Sequence, residues 1–176
     1  RVKEIITDQN SSLNSVIEST DDIIFIVKCN GELVVFNNNF KTMMKSFFNV
    51  EIFMGMNILP ALPDSISEQW TSLIENVSLG NKQNSELSIL NEDTFHFEIA
   101  ANPILVNEEV SSVSFFIKDV TEKWRMSTWD SIENRVFEQL SRNEDMKTVF
   151  DSLLNGMKRI CPEMHGYVTK KKENEM

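Results

Sequence analysis

Apolar residues recur along this chain in two alternating periods, one near 3.6 and one of 2. Residues 1–20 place Val2, Ile5, Ile6, Leu13, Val16 and Ile17 at helical steps, interrupted by the polar run from Asp8 to Ser12. Asp21 and Asp22 end that pattern. The β-branched and aromatic run Ile23–Val27 predicts a buried strand. Asn30–Gly31 predicts a type I′ hairpin turn, and Leu33–Phe36 the returning antiparallel strand. Phe40, Met43, Met44, Phe47 and Phe48 then follow at three- and four-residue spacing, a short helix with Asn39 as its expected cap. Gly55, Pro60 and Pro63 forbid a long regular element across residues 50–63.

A second helix begins at Asp64 or Ser65. It carries Ile66, Trp70, Leu73, Ile74 and Val77 on one stripe and stops at Gly80. From Ser85 to Lys118 the period is 2. Leu87 and Ile89, then Phe95, Phe97 and Ile99, then Val113, Phe115 and Ile117 mark three strands, with a turn at Asn107–Glu109. After Asp119 the helical period returns through Trp124, Trp129, Ile132, Val136 and Leu140. Asn143 resets it, and Met146 to Ile160 form another helix, stopped by Pro162. Met164–Thr169 reads as a strand with nothing left to pair with. The element order gives an α+β fold, a five-stranded antiparallel sheet with helices on one face.

Composition narrows the function. Hydrophobic residues are 41% and charged residues 25%, which suits a globular core. A net charge of -10 disfavours nucleic-acid binding, and Lys170–Lys172 is a solvated tail. Cys29 and Cys161 form no metal-ligand spacing or disulfide framework. No apolar run reaches the ~20 residues of a membrane helix. The expected location is the cytoplasm, with no membrane contact from this segment. The absence of an initiating Met suggests a piece of a longer protein.

Three segments carry a resemblance to the PAS sensor family. Ser19–Gly31 is similar to its opening strand and turn. Val35–Phe40 is similar to its strand end and Asn-x-x-Phe helix start. Asp119–Lys123 resembles its closing Asp-Ile-Thr-Glu-Arg motif. The resemblance covers residues 12–125. Residues 134–168 resemble the start of a GAF domain. The expected organisation is a helical segment over 1–20, a PAS domain over 21–120, a connecting helix over 121–142 and a partial GAF domain over 143–176.

The resemblance implies a sensory module, not an enzyme. The pocket expected between sheet and helices is lined by Ile26, Phe36, Phe40, Met44, Phe47, Phe48, Met54, Trp70, Phe97 and Phe115, which suits a small apolar or aromatic ligand. Apolar stripes at element spacing are usually core, so the same residues suit a filled core better still. Asp119 and Thr121 are the expected relay between last strand and exit helix, with Thr121 as a cap. Heme-binding relatives place a histidine on the long helix, where this chain has none; His96 falls on a strand's outer parity and His165 far beyond. Covalent-flavin relatives carry a cysteine in the region corresponding to residues 50–63, and this chain does not. Glu32, Glu98 and Asp119 form no acid/base constellation. The apolar stripe of the exit helix leads us to expect a homodimer through the flanking helices. The PAS–GAF order resembles proteins ending in diguanylate cyclase (GGDEF) or cyclic di-GMP phosphodiesterase domains, toward which the reading leans, and also sensor histidine kinases. The alternative is a ligand-free dimerisation scaffold.

Overall fold

A computed structural model describes residues 15–91 and 93–161. They fall into two compact units that divide between Val120 and Thr121.

The first unit opens on a helical turn at residues 15–18. Strands β1 (Ile23–Lys28) and β2 (Leu33–Phe36) follow, then helix α1 (Asn38–Phe48), a 3₁₀ turn at Leu59–Ala61 and helix α2 (Asp64–Ser78). Strands β3 (Gln83–Leu90), β4 (Thr94–Val106) and β5 (Glu109–Asp119) complete a five-stranded sheet of order β2-β1-β5-β4-β3. Every adjacent pair is antiparallel. The expected α+β architecture is therefore present.

Alternation decides the inner face. Ile23, Phe25 and Val27 of β1 are buried, as are Phe97, Ile99 and Ala101 of β4 and Val113, Phe115 and Ile117 of β5. Against them pack Phe40, Met43 and Met44 of α1 and Trp70, Leu73, Ile74 and Val77 of α2. Burying side chains of this size supplies about 1.5–3 kcal/mol each.

Two local expectations change. The cap of α1 is Asn37, not Asn39. Its Oδ1 accepts from Phe40 N at 3.0 Å and from Ile24 N at 3.1 Å. Its Nδ2 donates to the carbonyls of Asp22 (2.8 Å) and Ile17 (3.2 Å), so this buried amide uses both donors and two acceptor sites. Asn39 instead donates to Thr20 O.

The β1–β2 turn is also not type I′. Gly31 has φ +84° but Asn30 is not left-handed. Gly31 N donates to Lys28 O and Lys28 N to Glu32 O, the geometry of a three-residue loop ending in a left-handed glycine. Both central φ values are positive instead at Asn107 and Glu108, between β4 and β5.

The second unit is a helical hairpin of α3 (Thr121–Ser141) and α4 (Met146–Ile160). Asp145 caps α4 by accepting from Lys147 N at 3.2 Å. Gln139 donates to Ser152 Oγ at 3.0 Å across the hairpin. Pro162 and the strand expected at Met164–Thr169 lie outside the described residues, as do residues 1–14.

Candidate functional site

The centre of the first unit is an aromatic stack. Phe25 lies nearly parallel to Phe115 at 4.6 Å between centroids and to Phe40 at 4.0 Å. Trp70 joins at 5.2 Å from Phe25 and 6.1 Å from Phe115. All four rings are fully buried. They come from β1, α1, α2 and β5, so this contact set bridges sheet and helices. Nε1 of Trp70 is buried and has no hydrogen-bond partner among the described residues. An unpaired buried donor costs about 1–3 kcal/mol.

Beside this stack, Phe47 sets its ring edge-on to Phe95 and Phe97 at 5.0 and 5.8 Å. Phe47, Phe48 and Ile66 overlook a side cleft of about 440 Å³ that opens along β3. A second depression of about 530 Å³ lies on the opposite, polar face of the sheet, between Asp22, Glu86, Glu98, Phe116 and Lys118. Among the described residues, no group of three or more His, Cys, Asp or Glu side chains is placed to hold a metal ion.

No protein-family model matches the chain, and no curated protein does either. Solved structures do. The PAS domain of BvgS from Bordetella pertussis superposes with a TM-score of 0.53 at 15% identity, covering 77% of this chain and 98% of that one. The PAS domain of a protein from Colwellia psychrerythraea gives 0.50 at 18% identity, covering 66% and 98%. The PAS domain of an HTR-like protein from Haloarcula marismortui gives 0.50 at 14% identity, covering 68% and 98%.

The chain has the PAS fold.

The residues expected to line a PAS pocket divide into groups. Phe40, Met44, Trp70, Phe97 and Phe115 converge between sheet and helices, all buried. Phe36 is half-buried and meets Phe40 edge-on at 6.5 Å. Phe47 and Phe48 are half-buried at the side cleft. Ile26 does not join them: its neighbours Phe25 and Val27 take the inner face, so strand alternation turns Ile26 to the outer one. Met54 is 68% exposed in the loop before the 3₁₀ turn, where no strand or helix period governs direction. Phe25 is the central residue that the expected pocket omitted. Its place in the apolar run Ile23–Val27 hid its parity.

At the PAS exit, β5 ends at Asp119, in register with Phe97, and α3 begins at Thr121. Val120 N donates to His96 O at 2.9 Å, fastening the exit to β4. Asp119 is exposed and Thr121 is buried. Thr121 is the first helical residue and not the one before it, with Glu122 in the same first turn, where its charge suits the helix dipole. His96 holds Ser88 Oγ at 3.0 Å through Nδ1. None of these similar structures supports reading residues 134–168 as the start of a GAF domain or points to a diguanylate cyclase output. No helix among the described residues is long and apolar enough to cross a membrane.

Proposed function

We propose that this chain is a regulatory PAS module of a multidomain bacterial signalling protein, non-enzymatic in itself and cytoplasmic. The observation that carries the reading is direct covalent continuity. β5, which supplies Phe115 to the aromatic stack, runs into the 21-residue helix α3 with Val120 alone between them. A change in the stack reaches β5 first, and Asp119 and Thr121 stand where it passes to α3. The output is a downstream domain of a sensor kinase or cyclic di-GMP type, the latter preferred on the PAS–GAF order alone. The GAF reading of residues 143–176 belongs to this proposal.

The input has two forms. In the first, a small, planar, mostly apolar molecule enters beside Trp70, whose indole N–H donates to its acceptor atom. In the second, the stack itself is the finished core and the domain is a ligand-free dimerisation scaffold. Ring separations of 4.0–4.6 Å favour this form. Native mass spectrometry of protein purified without denaturation separates them. A stoichiometric small molecule supports sensing by ligand; a bare polypeptide mass supports the scaffold. An added absorption band would bring heme or flavin back into consideration. In both forms α3 pairs with a second copy through its exposed apolar stripe.

A further inference from the structure

We infer that the open edge of β3 is a docking site for an extended peptide segment of a protein partner, which adds to the sheet as a sixth strand.

The two edges of the sheet are treated differently. The β2 edge is covered at its start by its own chain: Leu33 N donates to Met56 O at 2.8 Å, Gly55 N to Leu33 O at 2.7 Å, and Glu32 bridges Asn57. The β3 edge has no such cover along its second half. Val120 N donates to His96 O, so the even residues of β4 face β5 and the odd ones face β3. Phe97 pairs Leu87 and Phe95 pairs Ile89. The backbone N–H and C=O of Glu86, Ser88 and Leu90 therefore point away from the sheet. Gln69 Nε2 donates to Glu86 O at 2.9 Å, which both supports this parity and closes the edge at that position. No hydrogen bond within the described residues reaches the outward backbone groups of Ser88 or Leu90.

Edge strands are usually blunted by a bulge, proline or charge. β3 pairs β4 without a register shift, and from Leu87 to Leu90 it carries no proline or charge. Beside that stretch runs the cleft of about 440 Å³. The inner layer of Leu87 and Ile89 ends at the edge, while the half-buried Phe47, Phe48 and Ile66 line the space next to it. An added strand would bond Ser88 and Leu90 through its backbone, and set alternate apolar side chains against those three residues. Glu86 is the one charged residue lining the cleft, and the chain's net charge is -10, so the segment bears a lysine or arginine on its outer face.

The test uses the whole chain and a blocked five-residue probe, Val-Lys-Val-Thr-Val, with a second version N-methylated at alternate residues on the bonding edge. Amide NMR shifts at Glu86, Ser88 and Leu90 should saturate with the first probe, and the N-methylated probe should bind about tenfold more weakly or worse. Ser88→Pro removes the outward N–H together with the Oγ that meets His96, and Ser88→Ala removes the Oγ alone, so the first should weaken the probe similarly and the second should not. Equal binding of both probes, equal binding by Ser88→Pro, or no shifts at millimolar probe overturns the inference. Shifts of the same amides with protein concentration alone assign the edge to a second copy and overturn it too.

Discussion

A β-carbon built on Gly156 would lie 2.6 Å from Cγ1 of Ile132, and 3.0 Å or less from its Cδ1 and Cγ2. This glycine lets α4 approach α3 at the level where Ile132 is buried. Alanine at a helix interior is favoured over glycine by about 1 kcal/mol. Overpacking against a stiff β-branched side chain costs about 1–3 kcal/mol, so the clash wins. Gly156→Ala should lower the thermal midpoint. Ile132→Ala in the same chain should recover part of the loss, and strict additivity of the two changes in a double-mutant cycle would count against the contact.

Asn37 ties three segments together, and its removal should cost more than an ordinary cap. Asn37→Ala strands the N–H groups of Ile24 and Phe40 and the carbonyls of Asp22 and Ile17. A lost cap alone is worth about 1 kcal/mol. With buried partners left unpaired, a total of about 2–4 kcal/mol is expected in urea unfolding. Asn39→Ala should cost less than half as much. Equal losses would return the capping role to Asn39.

The strand β1 offers a paired test. Phe25→Ala empties the middle of the aromatic stack and should cost about 3–5 kcal/mol. Ile26→Ala, one residue on but facing outward and half-buried, should cost about 1 kcal/mol. Comparable losses would mean the register is wrong.

That pair shows where the sequence is legible and where it is not. β4 alternates apolar with polar residues from Phe95 to Ile99 and β5 does so from Val113 to Phe115, so their inner faces can be read directly there, and Phe97 and Phe115 fall where expected. β1 is apolar at five consecutive positions, and its inner face is set by register against β5, which no local pattern encodes. Three successive asparagines, Asn37–Asn39, leave the cap ambiguous for the same reason. Asn30–Gly31 marks the hairpin but not its loop length, because one left-handed glycine serves more than one turn type. The cleft along β3 depends on Gln69, Phe47 and Ile66 meeting from two helices, a relation no spacing discloses.

Glu32 should titrate low. Lys28 Nζ donates to Glu32 Oε1 at 2.6 Å, and this hydrogen bond holds the carboxyl below the ordinary glutamate range, against a smaller opposing effect of desolvation. A depressed folded pKa means that the stabilising contribution is present above the unfolded pKa and is lost as pH falls through the folded one. In a carbon-detected NMR titration, Lys28→Met should move the midpoint of Glu32 up toward the ordinary value. A midpoint that stays put would assign the depression to another cause.

The exit helix makes the most consequential prediction. Met126, Trp129, Phe137 and Leu140 of α3 are 43–66% exposed. With Glu133 between them they follow a 3-4-4-3 spacing, a seam that a second helix can cover. A neighbouring face of α3 is already taken, since Ile132 meets Gly156 and Gln139 meets Ser152. A parallel partner in register would set Glu133 against its own copy, so like charges weaken the seam at its middle. Sedimentation velocity at tens of micromolar should therefore show a dimer that Trp129→Glu or Leu140→Glu dissociates. Glu133→Leu should tighten it by about tenfold, because an apolar contact replaces a repulsive one. Should Glu133→Leu leave the dissociation constant unchanged while Trp129→Glu abolishes the dimer, the helices pair through this face in another register or direction. A wild-type chain that stays monomeric at these concentrations would sink the seam altogether.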